Sequence, residues 1–350
     1  MDLLLIKIAV SLAPVLAFVV LFTVLDAFKL MSRREVAILL AAGGGLAALS
    51  YGANLGAMDA LPIGFSSYSR FVAPVIEECL KAAAVVALFA ANRIGFRIDA
   101  AISGFIIGAG FSLFENVFYL YHFSSANLGV WLVRGFGTAV MHGGATAMFA
   151  VLAQWFTERE LKADASRWRL HPTHFIPGLI AAILIHGAFN QFPNQPLLAM
   201  GVTLLAAPLT VLLVFARSNC AAHTWLLTDY ETHQHMLADV ESGAFARSEE
   251  GRVIAALAAR LPPDVAADVF DYIRLHIELV AQAEATLLAK QNGDPAPIGA
   301  DLRDKFKRLH ALEKAIGRTA LLTITPHLHF SRNDLWEMHE LEEDVMLAKG

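Results

Sequence analysis

Seven apolar runs, each about 20 residues long and so able to cross a bilayer as a helix, occupy positions 3–25, 36–57, 70–91, 100–121, 131–156, 173–193 and 196–216. The separators between them are short and hold most of the charges. Of the 350 residues 56% are hydrophobic and only 17% charged, whereas a water-soluble domain carries about a quarter charged residues. The apolar excess ends near Arg217, and the remainder reads as ordinary soluble helical sequence. The expected fold is all-α: a polytopic membrane helix bundle over 1–217, followed by an acidic, soluble helical domain over 218–350.

The charge balance divides at the same place. Up to Arg217 there are 14 Lys and Arg against 11 Asp and Glu, a net of +3; beyond it there are 13 against 21, a net of −8. The tail has no basic stripe, which argues against a nucleic-acid partner. Cys79 and Cys220 are far apart and imply no disulfide framework. The first apolar run lacks a basic leader and a cleavage site, so it reads as a retained helix.

Loop charge sets the expected orientation. Lys29, Arg33 and Arg34 lie in loop 26–35, Arg93 and Arg97 in loop 92–99, and Arg159, Lys162, Arg167 and Arg169 in loop 157–172. The alternate connections, 58–69, 122–130 and 194–195, hold no Lys or Arg. The positive-inside rule then puts the N-terminus outside and the tail in the cytoplasm, as in a multi-pass protein of a bacterial-type inner membrane. Lys7 is discordant, but sits near a helix end where it can snorkel.

In the tail, Leu261-Pro262-Pro263 predicts a helix start with Asp264 as its cap. Gln291-Asn292-Gly293-Asp294-Pro295 predicts a break, and 301–323 carries apolar residues at helical spacing. The pairs His233/His235 and His327/His329 lack Cys or carboxylate partners at ligand spacing, so solvated or half-buried histidines are expected there. With no internal repeat and no catalytic motif, the tail is expected to regulate, to present substrate or to form a homodimer contact.

Ionisable residues inside a spanning segment cost about 2.5–3.5 kcal/mol each, and are therefore expected to be paired or functional. The third run has Glu77, Glu78 and Lys81. Both carboxylates share a helical face with Lys81, which can neutralise one and leave the other for acid–base work. The fourth run has Phe111, Glu115 and Asn116, beside Gly104, Gly108 and Gly110, which let a neighbouring helix approach closely. The fifth has His142, and the sixth has His186 and Asn190 one turn apart. In the orientation above, Glu77, Glu78, Glu115 and His186 lie roughly 9–12 Å below the outer boundary and His142 roughly 16 Å below it. Polar groups from four helices thus reach a similar level. Arg70 and Arg134 read as interfacial anchors, and Cys79 as small core filling.

In order along the chain stand E-E-x-x-K (Glu77 to Lys81), F-x-x-x-E-N (Phe111 to Asn116), an isolated His142, and H-x-x-x-N (His186 to Asn190). Over residues 65–195 this set resembles the PrsW family of intramembrane proteases, which is related to the type II CAAX prenyl endopeptidases and to the Aph subunit of γ-secretase. The resemblance implies peptide-bond hydrolysis near the outer membrane face, in a family best known for the first cleavage of a membrane-bound anti-sigma factor under stress. It implies that Glu77, Glu78, Glu115, His142, His186 and Asn190 are catalytic positions, with Lys81 and Asn116 in support. The tail departs from the compact family pattern, and CAAX relatives carry His where this chain has Glu115.

Two mechanisms fit these residue types. In one, a glutamate and a histidine activate water without a metal. In the other, Glu115, His142 and His186 hold Zn²⁺, Glu78 or Glu77 is the base, and Asn190 orients a ligand or binds the oxyanion. Two readings from other classes stand beside the protease. A proton-coupled transporter would use the same residues as a relay, although the two halves show no inverted repeat. A non-catalytic scaffold would bind spanning helices, although the full acid and histidine set argues against it.

Overall fold

The structure, a computed structural model, describes residues 2–24, 31–163, 171–191, 195–295, 299, 301–324, 328, 330 and 332–347. Among these residues all regular structure is helical, with no strand. The chain divides into two compact units, one of Met1–Arg159 with Arg169–Asn219, the other built on Cys220–Gly350.

The first unit holds α1 (Asp2–Val24), α2 (Arg33–Ala60), the single turn α3 (Phe65–Ser67), α4 (Ala73–Ala90), α5 (Arg97–His122), α6 (Leu128–Leu132), α7 (Ala139–Ala163) as far as Arg159, α8 (Ile176–Asn190) and the first part of α9 (Pro196–Glu241). Two π-helical segments, Tyr68–Val72 and Val133–Thr138, lead directly into α4 and α7. Ser32 caps α2 with a reciprocal box: its hydroxyl accepts from the Glu35 N–H at 3.2 Å, and its own N–H donates to the Glu35 carboxylate at 2.7 Å, satisfying two donors of the first turn.

Among the described residues, five helical stretches are long and apolar enough to cross a membrane: Leu3–Val24, Arg33–Ala60, Arg97–His122, Leu128–Arg159 and Pro172–Asn190. These make the chain a multi-pass membrane protein. The two remaining expected spans have identifiable reasons for standing apart. The 18 residues of α4 include Glu77, Glu78 and Lys81. The apolar stretch that opens α9 is short among the described residues, Pro196–Ala206.

Packing centres on α5, which is buried from Ile98 through Ser112 and lies against α1, α2 and α4. A Cβ on Gly108 would meet the His142 carbonyl oxygen at 2.3 Å, and one on Gly104 that of Thr146 at 2.7 Å. Backbone therefore touches backbone between α5 and α7, as small residues permit in membrane bundles. That contact places the carboxylate of Glu115 within reach of His142. At one end of the unit Arg93 pairs with Glu35 at 3.5 Å and Arg97 with Glu158, gathering the ends of α4 and α7 with the starts of α2 and α5. Lys7 does not snorkel: it is buried and donates to the Ser124 carbonyl at 2.7 Å, because the loop after α5 supplies an acceptor. Cys79 is exposed rather than core filling, since one residue of helix beyond Glu78 turns the side chain outward.

The second unit comprises the end of α9, then α10 (Glu249–Ala258), α11 (Pro263–Asn292), α12 (Leu302–Ile316), α13 (Arg318–Ile324) and α14 (Arg332–Leu347). Its core includes Ile254, Val269, Ile273, Phe306, Leu309 and Leu341. The capping position of α11 is Pro262, not Asp264, because proline at the first helical position brings its own helical φ and lacks only an N–H that would be unpaired there. The expected break falls at Gly293, whose φ of 78° closes the helix in the left-handed region. His233 is buried rather than solvated or half-buried, because α11 and α14 bring it carboxylate partners that sequence spacing does not reveal. His327 and His329 lie outside the described residues.

Candidate active site

The polar residues of α4, α5, α7 and α8 meet in one continuous network. Lys81, 0% exposed, donates to Glu78 Oε1 at 2.7 Å and lies 2.8 Å from His142 Nδ1. Glu78 Oε1 also lies 2.8 Å from His186 Nδ1. A carboxylate accepts, so His186 carries its proton on Nδ1 and keeps the Nε2 lone pair free. That Nε2 points at Glu77 Oε2, 3.9 Å away. The Lys81 ammonium donates to His142 Nδ1, which puts that ring's proton on Nε2, 3.2 Å from Glu115 Oε2. The two imidazoles stand nearly perpendicular, at 84° with centroids 4.8 Å apart.

The two adjacent glutamates thus have different surroundings. Glu78 is buried, and its Oε1 is engaged by both Lys81 and His186. Glu77 faces the cavity and accepts from Asn54 Nδ2 at 3.3 Å. Helix spacing allows Lys81 to pair with either glutamate; His186, brought by α8 onto Glu78 Oε1, fixes the choice and leaves Glu77, about 100° around the helix, to the cavity.

Three residues not assigned to the site from sequence belong to it. Asn54 holds Glu77 and is itself fixed by Tyr68, whose hydroxyl lies 2.7 Å from its Oδ1. Arg134 is not an interfacial anchor: it contacts Glu115 at 3.0 Å, donates from Nε to Asn116 Oδ1 at 3.0 Å and stacks over Tyr119 at 3.7 Å. Asn116 is the brace behind it, donating to the Ser11 and Arg134 carbonyls. Tyr68 and Arg134 both sit in π-helical segments, a distortion that often marks functional sites. A cationic residue in the apolar run after Trp131 was the available signal for Arg134. Asn190 reaches the cavity wall and donates to the Ser69 carbonyl at 2.8 Å, tying α8 to the turn before α4.

The cavity measures about 750 Å³, within the usual range for a ligand site. Its apolar wall includes Tyr51, Met58, Phe65, Phe114, Phe118 and Leu197, and its polar wall Glu77, Glu115, Arg134, His142, His186 and Asn190. One donor atom each from Glu77, His142 and His186 lie within 4.8 Å of one another. This trio differs from the sequence expectation in having Glu77 in place of Glu115. Two imidazoles and one carboxylate are a known donor set for a catalytic divalent metal, so these residues fit such an ion.

Carboxylates and imidazoles gathered around an aromatic-walled cavity, within helices of membrane length, define a hydrolytic site of the intramembrane kind. Residues 31–216, more than half of the chain, match the family described as PrsW family intramembrane metalloprotease, and the chain belongs to that family. No curated protein and no solved structure matches it. It is an intramembrane peptidase that acts on a membrane protein in a lipid environment.

Proposed function

We propose that Glu77, His142 and His186 hold a divalent ion, zinc by the character of the donors, and that the site cleaves its substrate in the outer half of the bilayer. The observation that carries this reading is the convergence of three donor atoms within 4.8 Å on the wall of the cavity. The bound ion would polarise the scissile carbonyl and make the attacking water more acidic. Glu78 keeps its hydrogen bond to His186 Nδ1 and so presents Nε2 to the ion, an outer-shell partnership usual for metal-bound histidine. Entry of His142 into the set would require its other neutral tautomer, with the proton on Nδ1 and the Nε2 lone pair toward the ion, and so a rearranged contact with Lys81. Glu115, oriented by Arg134, takes the proton of the attacking water. It returns that proton to the amine nitrogen as the C–N bond breaks.

The outer-half placement rests on charge. The basic residues Arg93 and Arg97 lie at the far end of α4 and the near end of α5, whereas Glu77 is the fifth residue of α4 from its other end. With basic loops in the cytoplasm, the N-terminus is outside and the tail inside, in a bacterial-type inner membrane. Regulated cleavage of a signalling protein such as an anti-sigma factor is the role suggested by the family resemblance.

The experiment uses purified full-length protein and a single-span membrane protein in detergent. Treatment with a chelator is expected to slow cleavage at least about 100-fold, and one equivalent of Zn²⁺ to restore it, with the mapped cut in the outer half of the span. Undiminished cleavage by fully stripped protein would favour the metal-free mechanism instead.

A further inference from the structure

The second unit contains a buried cluster separate from the site above. His233 on α9 has Nδ1 2.8 Å from Glu284 Oε1 on α11 and Nε2 3.8 Å from Asp334 Oδ2 on α14. One donor atom from each of these residues lies within 4.8 Å of the other two, and all three residues are buried. The spacing on each helix favours convergence. Asp229 precedes His233 by one turn of α9, and Glu337 follows Asp334 by one turn of α14.

The second observation is a set of buried, unpartnered polar atoms on the same helices, α11 and α14. Glu337 is 0% exposed and neither of its carboxylate oxygens has a hydrogen-bond partner. Glu284 Oε2 is likewise buried without a partner. Both ring nitrogens of His276, a buried neighbour on α11, are also unpartnered, and its ring stacks on Phe330 at 4.2 Å. Unpartnered buried carboxylates are costly, and native proteins satisfy them. Burial, and then the carboxylates of Glu284, Asp334 and Asp229, push Glu337 well above the usual carboxylate range. Four carboxylates, those of Asp229, Glu284, Asp334 and Glu337, thus gather around one imidazole, that of His233, and the cluster is short of positive charge.

We infer that His233, Glu284, Asp334 and Glu337 form a second metal site, holding one divalent first-row transition ion between α9, α11 and α14. Helical bundles build such centres from inward carboxylates and imidazoles on facing helices. A single imidazole among carboxylates suits manganese, iron or zinc better than a soft-ligand metal. The ion supplies the missing positive charge and partners for the orphaned oxygens, cross-linking three helices. It lets the tail respond to metal supply, independently of whether the membrane site binds metal.

Full-length protein in detergent is stripped with a chelator, equilibrated with Mn²⁺ or Zn²⁺, desalted and its metal counted by mass spectrometry. A His142→Ala/His186→Ala protein is expected to retain about one equivalent per chain, and addition of Glu337→Gln and His233→Ala to reduce that at least tenfold. Glu337→Gln alone, which preserves side-chain shape, is expected to lose the stabilising shift in thermal midpoint that metal gives the tail while keeping its helical circular dichroism. An unchanged metal count in the Glu337→Gln and His233→Ala proteins, or no metal in the His142→Ala/His186→Ala protein, would overturn the assignment and leave a proton-sharing carboxylate cluster.

Discussion

Lys81→Met is expected to destabilise the folded protein by about 3–5 kcal/mol, the range seen when one member of a buried ion pair is removed. Lys81 is fully buried, 2.7 Å from Glu78, 2.8 Å from His142 Nδ1, and 4.5 Å from the Phe111 ring centroid. Methionine fills much of the same volume, so packing is nearly kept and the loss is electrostatic. Glu78 would be left with His186 alone, and His142 would lose the donor that fixes its tautomer. Adding Glu78→Gln removes the stranded charge and is expected to recover most of the stability without recovering cleavage, because His186 is no longer held by a carboxylate. Thermal unfolding in detergent, followed by circular dichroism, gives the single and double values. Equal stability of Lys81→Met and wild type would remove the pair from the structural role assigned to it.

Glu115→Gln is expected to lower kcat by about 10²–10⁴, the range for loss of a general acid–base group, while KM and bound metal stay near wild type. The amide keeps the size of the carboxylate and its place 3.0 Å from Arg134, so the geometry is retained while the proton acceptor is lost. Had Glu115 been a metal ligand, as its residue type and level in the membrane allow, the same variant would lose metal together with rate. Metal content and steady-state cleavage measured on one preparation separate the two roles.

The helical framework is legible in the sequence because apolar length is a local property. The E-E-x-x-K, F-x-x-x-E-N, His142 and H-x-x-x-N positions are legible for a related reason: charge inside an apolar run is costly wherever it falls. The choice between neighbouring side chains is less accessible. That Lys81 takes Glu78 and leaves Glu77 to the cavity depends on α8 delivering His186 from 108 residues away. Arg134 reads as an anchor until the close approach of α5 and α7 puts Glu115 beside it. Asn54 and Tyr68 carry no unusual cost in sequence and emerge only as partners of Glu77. In the tail, His233 finds Glu284 across 51 residues, a separation that no ligand-spacing rule anticipates. The count of spans is hard to read for a physical reason too: the helix that carries the chemistry, α4, is the one its own charges make least like a spanning segment.

The central assignment is the trio Glu77, His142 and His186 as the cleaving centre. Its most direct measurement is product formation from a single-span substrate co-reconstituted in liposomes, comparing wild type with Glu77→Gln and with His186→Ala. All three proteins are first matched for folding by their thermal midpoints. Wild type is expected to release the cleaved fragment, and both variants to fall at least about 1,000-fold below it. Equal rates from the three proteins would contradict the assignment.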